Sequence, residues 1–130
     1  MHNNVIHVSA VVFRNDAGAL LTVRKAGAQR FMLPGGKPEP GESARQTAAR
    51  ECAEEIGVHL DPAELTELGE FTADAANEPG FVVRATVFTS ARRVEAVRAA
   101  EIAELRWIDP QAPGDIALAP LLREHILPRL

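Results

Sequence analysis

Glu51, Glu54 and Glu55 stand at i, i+3 and i+4 in a stretch free of glycine and proline. On a helix turning about 100° per residue they fall within an arc of about 100°. Ala49, Cys52, Ala53 and Ile56 occupy a neighbouring apolar arc that can face a sheet. Three carboxylates on one exposed face repel one another without a counter-charge. Hard divalent cations such as Mg2+ need oxygen ligands, and clustered carboxylates supply them. Glu42 lies just before the run, placed to fold back toward the cluster. Gly35 and Gly36 permit close backbone approach, so a carbonyl or amide there can reach a metal or a phosphate. Taken alone, Glu-x-x-Glu-Glu also has a plain reading as the solvated acidic face of a surface helix.

The elements that must position these residues follow from patterning. Val5 to Phe13 is rich in Val and Ile and reads as a strand. Asp16-Ala17-Gly18 supplies turn chemistry, and Leu20 to Val23 begins a second strand, which predicts a hairpin. Ala26 to Gln29 reads as a loop and Phe31-Met32-Leu33 as a short third strand. Pro34 to Gly41 holds three prolines and three glycines in eight residues, so regular structure is not expected there. Ser43 to Ile56 predicts a helix closed by Gly57. Leu65 to Ala73 and Phe81 to Thr89 read as strands joined by a loop carrying Asn77, Pro79 and Gly80. Leu105 to Ile108 is a short strand before Asp109-Pro110. Pro120 to Leu127 spaces Leu121, Leu122 and Ile126 for one apolar helix face. The class is mixed α/β, with neither repeats nor a linker, so residues 1–130 are expected to form one domain.

Composition narrows the function. Of 130 residues, 46% are hydrophobic and 25% charged, the balance of a soluble globular protein. Lys and Arg number 14 against 18 Asp and Glu, a formal charge of −4, which lacks the footprint of a general nucleic-acid binder. A single cysteine, Cys52, excludes an internal disulfide and a multi-cysteine zinc site. No apolar run approaches the roughly 20 residues of a membrane span, and the first residues lack the cationic start of a signal peptide. The expectation is a reduced, cytoplasmic protein without a membrane or a stable nucleic-acid partner.

The acidic helix belongs to a longer pattern. Gly36 is followed after five residues by Glu42, and after seven more by Arg50-Glu51-Cys52-Ala53-Glu54-Glu55-Ile56-Gly57-Val58. Seven fixed residues at fixed spacing arise by chance in roughly one in a million chains of this length. The pattern resembles the signature of the Nudix hydrolases at Gly36, Glu42, Arg50, Glu51, Glu54, Glu55 and Gly57. Cys52 departs from the bulky aliphatic usual there, yet is a small hydrophobe that can pack. Leu33-Pro34-Gly35-Gly36-Lys37 is similar to the start of this motif in the MutT-like branch. The resemblance implies a Nudix-type α/β/α sandwich, with a curved mixed β-sheet between helices.

It also implies roles. Glu51, Glu54 and Glu55 would bind Mg2+, with Mn2+ as an alternative, and the Gly36 carbonyl would be a further ligand. Arg50 would pair with a carboxylate such as Glu42 and hold the metal face in position. The metal would make a bound water more acidic for attack on phosphorus. The general base would be a glutamate of the motif or one on a later loop; Glu101 is the first of these, then Glu104 and Glu78. Arg24, Lys25, Arg30 and Lys37 are candidate phosphate cations, against a reading of plain surface charge. Phe31, Phe81 or Trp107 could stack on a base, although a lone strand aromatic is more often core. His7, His59 and His125 lack metal-ligand spacing. The marks of ADP-ribose and dinucleoside-polyphosphate enzymes are absent, which leaves a (deoxy)nucleoside triphosphate, oxidised or not, hydrolysed to monophosphate and pyrophosphate. An ADP-ribose or nucleotide-sugar pyrophosphatase and a non-catalytic nucleotide sensor are the alternatives. Many members of the family are homodimers, but no residue here marks an interface.

Overall fold

The computed structural model describes residues 4–76 and 78–130. Asn77, placed by the sequence in a connecting loop, lies outside them.

The central strand is β1 (Asn4–Val12), which pairs in parallel with β5 (Phe81–Thr89). On its other side it meets β3 (Gly35–Gly36), antiparallel. β4 (Thr66–Asp74) completes the sheet against β5, giving the order β3-β1-β5-β4. A second, two-stranded antiparallel ribbon joins β2 (Leu20–Lys25) to β6 (Ile102–Ile108). The mixed sheet is thus divided, and helix α1 (Ala44–Ile56) covers one side. The C-terminal segment covers the other. It is helical from Pro120, widens to a π-turn over Leu122–Ile126 and tightens to a 3-10 turn over Leu127–Arg129.

Burial on both faces explains why β1 reads as a continuous apolar run. Ala10 and Val12 join Ala85, Val87, Leu122 and Ile126 in one core cluster. Val11 and Phe13 join Phe88, Ala48, Cys52 and Ile56 in the other. Helix α1 starts where Ser43 caps it: the Ser43 hydroxyl accepts from the Gln46 amide at 3.2 Å, and the Gln46 side chain accepts from the Ser43 amide at 2.9 Å. It ends at Gly57, whose left-handed φ of 68° suits glycine.

Three expectations need correction. The turn after β1 forms, with Asn15 Oδ1 accepting the amides of Ala17 and Ala19. β2 keeps only a bridge between Arg14 and Leu20, however, and then leaves to pair with β6 instead of forming a hairpin. Phe31 to Leu33 is not a strand; it makes isolated bridges, Val23 to Met32 and Phe31 to Leu118. The third strand lies instead inside the Pro/Gly stretch, at Gly35–Gly36. A Cβ on Gly35 would overlap the Ser9 carbonyl and come within 2.7 Å of the Ala10 Cα, so only glycine lets this backbone reach β1. No helix among the described residues is long and apolar enough to cross a membrane.

Candidate active site

The cap at Ser43 sets the register of α1, and that register brings one guanidinium among four carboxylates. Arg50 donates to Glu42 through Nε at 2.6 Å and Nη2 at 3.0 Å, a two-pronged pair. Nη2 also donates to the Lys37 carbonyl at 2.9 Å. Nη1 turns the other way, to Glu54 at 3.0 Å and Glu51 at 3.3 Å. Glu39, which no motif had singled out, approaches Nε at 3.4 Å. Arg50 thereby ties the loop before the helix to the helix itself.

Glu42 is the most fully satisfied acid. The Arg50 guanidinium, the Glu39 amide and the Thr47 hydroxyl all donate to it, and together they hold its pKa at about 2. The same hydrogen bond to Glu42 pushes Arg50 above its ordinary value.

Glu55 behaves differently, and here the expectation of three carboxylates on one exposed face is overturned. Glu55 is 5% exposed. Its Oε1 accepts the Gly35 amide at 3.1 Å, and its Oε2 lies 3.7 Å from Lys25 Nζ. Burial pushes its pKa up to about 7, against the opposing effects of those two partners. Glu51 is intermediate: its carboxylate packs on Gly36 so closely that a Cβ there would overlap it. Burial raises Glu51 as well, partly offset by Arg50. Only Glu54 is freely accessible, its side chain 51% exposed. The helical arc is correct, but β3 covers one edge of it.

A cleft of about 570 Å³ opens beside this network. Lys25, Lys37, Gly36 and Glu51 stand in its wall, and Ile6, Val8, Val83 and Leu121 provide its apolar side. The sequence pointed to the charged end but not the apolar one. The signal available was the even-numbered face of β1, readable only once its neighbours are known. Asp74 and Glu78 also line the cleft. They also line a second cavity of about 580 Å³, which Arg30 and Phe81 border.

The remaining candidates lie elsewhere. Phe31 is buried in the core at 5% exposure, flanked by the guanidiniums of Arg24 and Arg106, and does not line the cleft. Arg24 is engaged by the Ala28 carbonyl and by Glu104. Arg106 and Arg24 hold the Glu104 carboxyl below its ordinary pKa. The Glu101 side chain borders neither cavity, although its carbonyl accepts the Ala26 amide at 2.7 Å. Trp107 packs against the core beneath α1. Among the described residues, no three acidic, His or Cys side chains are already gathered around a metal-sized point. Arg50 draws Glu51 and Glu54 toward itself, while Gly35 and Lys25 hold Glu55.

A divided α/β sandwich in which a glycine loop meets an acidic helix at one cleft is the architecture of the NUDIX domain, whose family model matches residues 4–130. The chain belongs to this family. It is 41% identical over 75 residues to the 8-oxo-dGTP diphosphatase of Haemophilus influenzae, an alignment covering 55% of each protein. The chain therefore spans little more than half the length of that relative. It is 30% identical over 120 residues to the CTP pyrophosphohydrolase of Escherichia coli, covering 89% of this chain and 84% of that one. The solved MutT NUDIX hydrolase of Burkholderia pseudomallei shares the fold, with a TM-score of 0.73 and 21% identity over 88% of this chain and 91% of its own.

Proposed function

We propose that residues 4–130 form one Nudix domain that hydrolyses a nucleoside triphosphate to the monophosphate and pyrophosphate, with a divalent metal held by Glu51, Glu54 and Glu55. The observation that carries this is the meeting of Gly36, Glu51 and Lys25 in the wall of one cleft, with Lys25 also 3.7 Å from Glu55. The donor set suits Mg2+ or Mn2+: oxygen atoms only, on carboxylates whose negative charge exceeds that of the adjacent Arg50 and Lys25. The Glu51 carboxylate packs directly on Gly36, the residue whose carbonyl would be the further ligand.

When bound, the metal supplies charge neutralisation and a more acidic water. The chain supplies the rest. Lys25 and Lys37 put positive charge in the cleft where a polyphosphate would lie. Arg50, anchored on Glu42, orients Glu51 and Glu54. Glu51 is the glutamate of the motif that lines the cleft, which places it to accept a proton from water. Glu101 fits that role less well, because its side chain faces neither cavity. The apolar wall of Ile6, Val8 and Val83 suits a nucleoside. The names of the Haemophilus and Escherichia relatives favour 8-oxo-dGTP and CTP as first substrates to try.

The test is incubation with Mg2+ and a panel of nucleoside and deoxynucleoside triphosphates, 8-oxo-dGTP, ADP-ribose and nucleotide sugars, with Glu54→Gln as the blank. Monophosphate and pyrophosphate from one triphosphate are expected. Turnover confined to ADP-ribose or a nucleotide sugar would keep the metal chemistry and change the substrate. Ligand stabilisation without any turnover would make the domain a nucleotide sensor.

A further inference from the structure

The last two carbonyls of α1 do not face water. The Glu55 carbonyl accepts the Ala99 amide at 2.9 Å, and the Ile56 carbonyl accepts the Val97 amide at 3.0 Å. Both donors come from the irregular connection between β5 and β6, about forty residues further along the chain. Carbonyls at a helix C-terminus need such partners, and this last turn carries no basic side chain to answer the helix dipole. Two residues after Ala99, the same connection bonds in the other direction. The Glu101 carbonyl accepts the Ala26 amide at 2.7 Å, and the Ile102 amide closes the turn on the Ala99 carbonyl at 3.1 Å.

Ala26 directly follows Lys25, a residue of the cleft wall whose Nζ lies 3.7 Å from Glu55 Oε2. One tight turn, Ala99-Ala100-Glu101, therefore holds the main chain on both sides of the Lys25–Glu55 contact. β6 is irregular at the same point: Arg24 pairs with Glu104 but Lys25 pairs with Ile102, so Ala103 is the extra residue of a bulge. Between the two anchoring bonds, Ala100 has a φ of 51°, the one non-glycine residue with positive φ among those described. An L-residue in that region carries a steric cost. It persists only where its surroundings impose it.

We infer that the Ala99-Ala100-Glu101 turn is a positioning device for the candidate site, which sets where Glu55 stands against Gly35 and Lys25, with Ala100 as its pivot. The consequence for metal binding rests on the function proposed above; the mechanical coupling does not. If the turn shifts, the last turn of α1 and the end of β2 shift with it. The bond from the Gly35 amide to Glu55 then loosens, although Gly35 touches no part of the turn.

Amide hydrogen exchange on the full chain tests this, with Gly35, Ala99 and Ala26 followed against the Phe31 amide. Phe31 donates to Ala117 at 2.8 Å, a bond to the connection that follows β6 and not to the turn, and serves as the internal reference. Ala100→Val, with a β-branched side chain at positive φ, is expected to speed exchange at all three amides relative to Phe31, on the order of tenfold. Ala100→Gly removes the steric cost and is expected to slow the same three together; it covers the case in which the valine variant fails to fold. If Ala99 and Ala26 respond while Gly35 does not, the turn does not position Glu55, and the inference is wrong. It is equally wrong if neither variant changes the three amides relative to Phe31. Calorimetric titration with MgCl2 alone separates the two ideas. A Gly35 response with unchanged Mg2+ affinity would uphold the coupling and remove Glu55 from the metal set. Weaker Mg2+ binding in Ala100→Val, with kcat lowered more than KM is altered, is the outcome expected if both hold.

Discussion

Glu55 Oε1 accepts the Gly35 amide at 3.1 Å, which joins the last turn of the acidic helix to the short strand that edges the sheet. This bond withdraws Glu55 from solvent and separates its chemistry from that of Glu54 one residue earlier. Between them, Glu42 and Glu55 mark the extremes of the site: one carboxylate saturated with donors, the other buried with few.

That contrast predicts opposite pH behaviour. Glu42 titrates near 2 in the folded chain against an ordinary 4.5. Its contribution to stability is therefore complete above about pH 4.5 and is lost as pH falls toward 2. The melting temperature of Glu42→Gln is expected to lie below that of the wild type at neutral pH and to converge with it near pH 2. A constant gap across the range would show that Glu42 does not hold its proton so weakly.

Glu55 carries the opposite sign. Its folded pKa of about 7 exceeds the ordinary 4.5, so the protonated form favours folding, and this advantage disappears as pH rises through 7. In metal-free buffer, Glu55→Gln is expected to gain on the wild type between about pH 5 and 8. Because a divalent ion needs the ionised form, stabilisation of the wild type by millimolar Mg2+ is expected to be larger at pH 8 than at pH 5.5. Thermal melts at the two values with and without MgCl2 measure both effects.

Arg50 answers four carboxylates at once, with its side chain 22% exposed. Arg50→Met leaves Glu42, Glu51 and Glu54 without their shared donor and is expected to cost about 1–3 kcal/mol at neutral pH. Urea denaturation of the variant beside the wild type at pH 7 measures it.

Glu54→Gln separates activity from stability. The Glu54 side chain is half exposed and its pair with Arg50 lies at the surface, so the stability change is expected to stay within about 1 kcal/mol. Turnover is expected to fall by roughly 10²–10⁴-fold. Steady-state assays beside thermal melts decide it, and near-normal turnover would remove Glu54 from the metal set.

The two adjacent glycines should fail differently. A Cβ on Gly35 meets fixed backbone at Ser9 and Ala10, whereas on Gly36 it meets the end of the Glu51 side chain, which can swing away. Gly35→Ala is expected to destabilise by about 1–3 kcal/mol. Gly36→Ala is expected to melt close to the wild type while losing turnover, because Glu51 is displaced.

Much of this protein is local and therefore legible in the chain. The capping residues Ser43 and Gly57, the helical arc of Glu51, Glu54 and Glu55, and the spacing of Gly36 and Glu42 depend on neighbours within a few turns. Those features were enough to point to the family and to its acidic helix. Pairing between distant segments was not legible. Nothing within β2 says that Leu20–Lys25 prefers β6 to β1, since an apolar strand can pair with either. Gly35–Gly36 reads as a loop because glycine lacks β propensity; it becomes a strand because β1 offers a partner that tolerates no side chain there. Burial is likewise a property of the assembled layers. The sequence alone determined which carboxylates share a helix face. The tertiary structure decided that β3 covers Glu55, that Phe31 belongs to the core, and that Lys25 rather than Arg24 reaches the cleft. Helical periodicity acts over a few residues, whereas the desolvation that sets a carboxylate's proton affinity depends on every element packed around it.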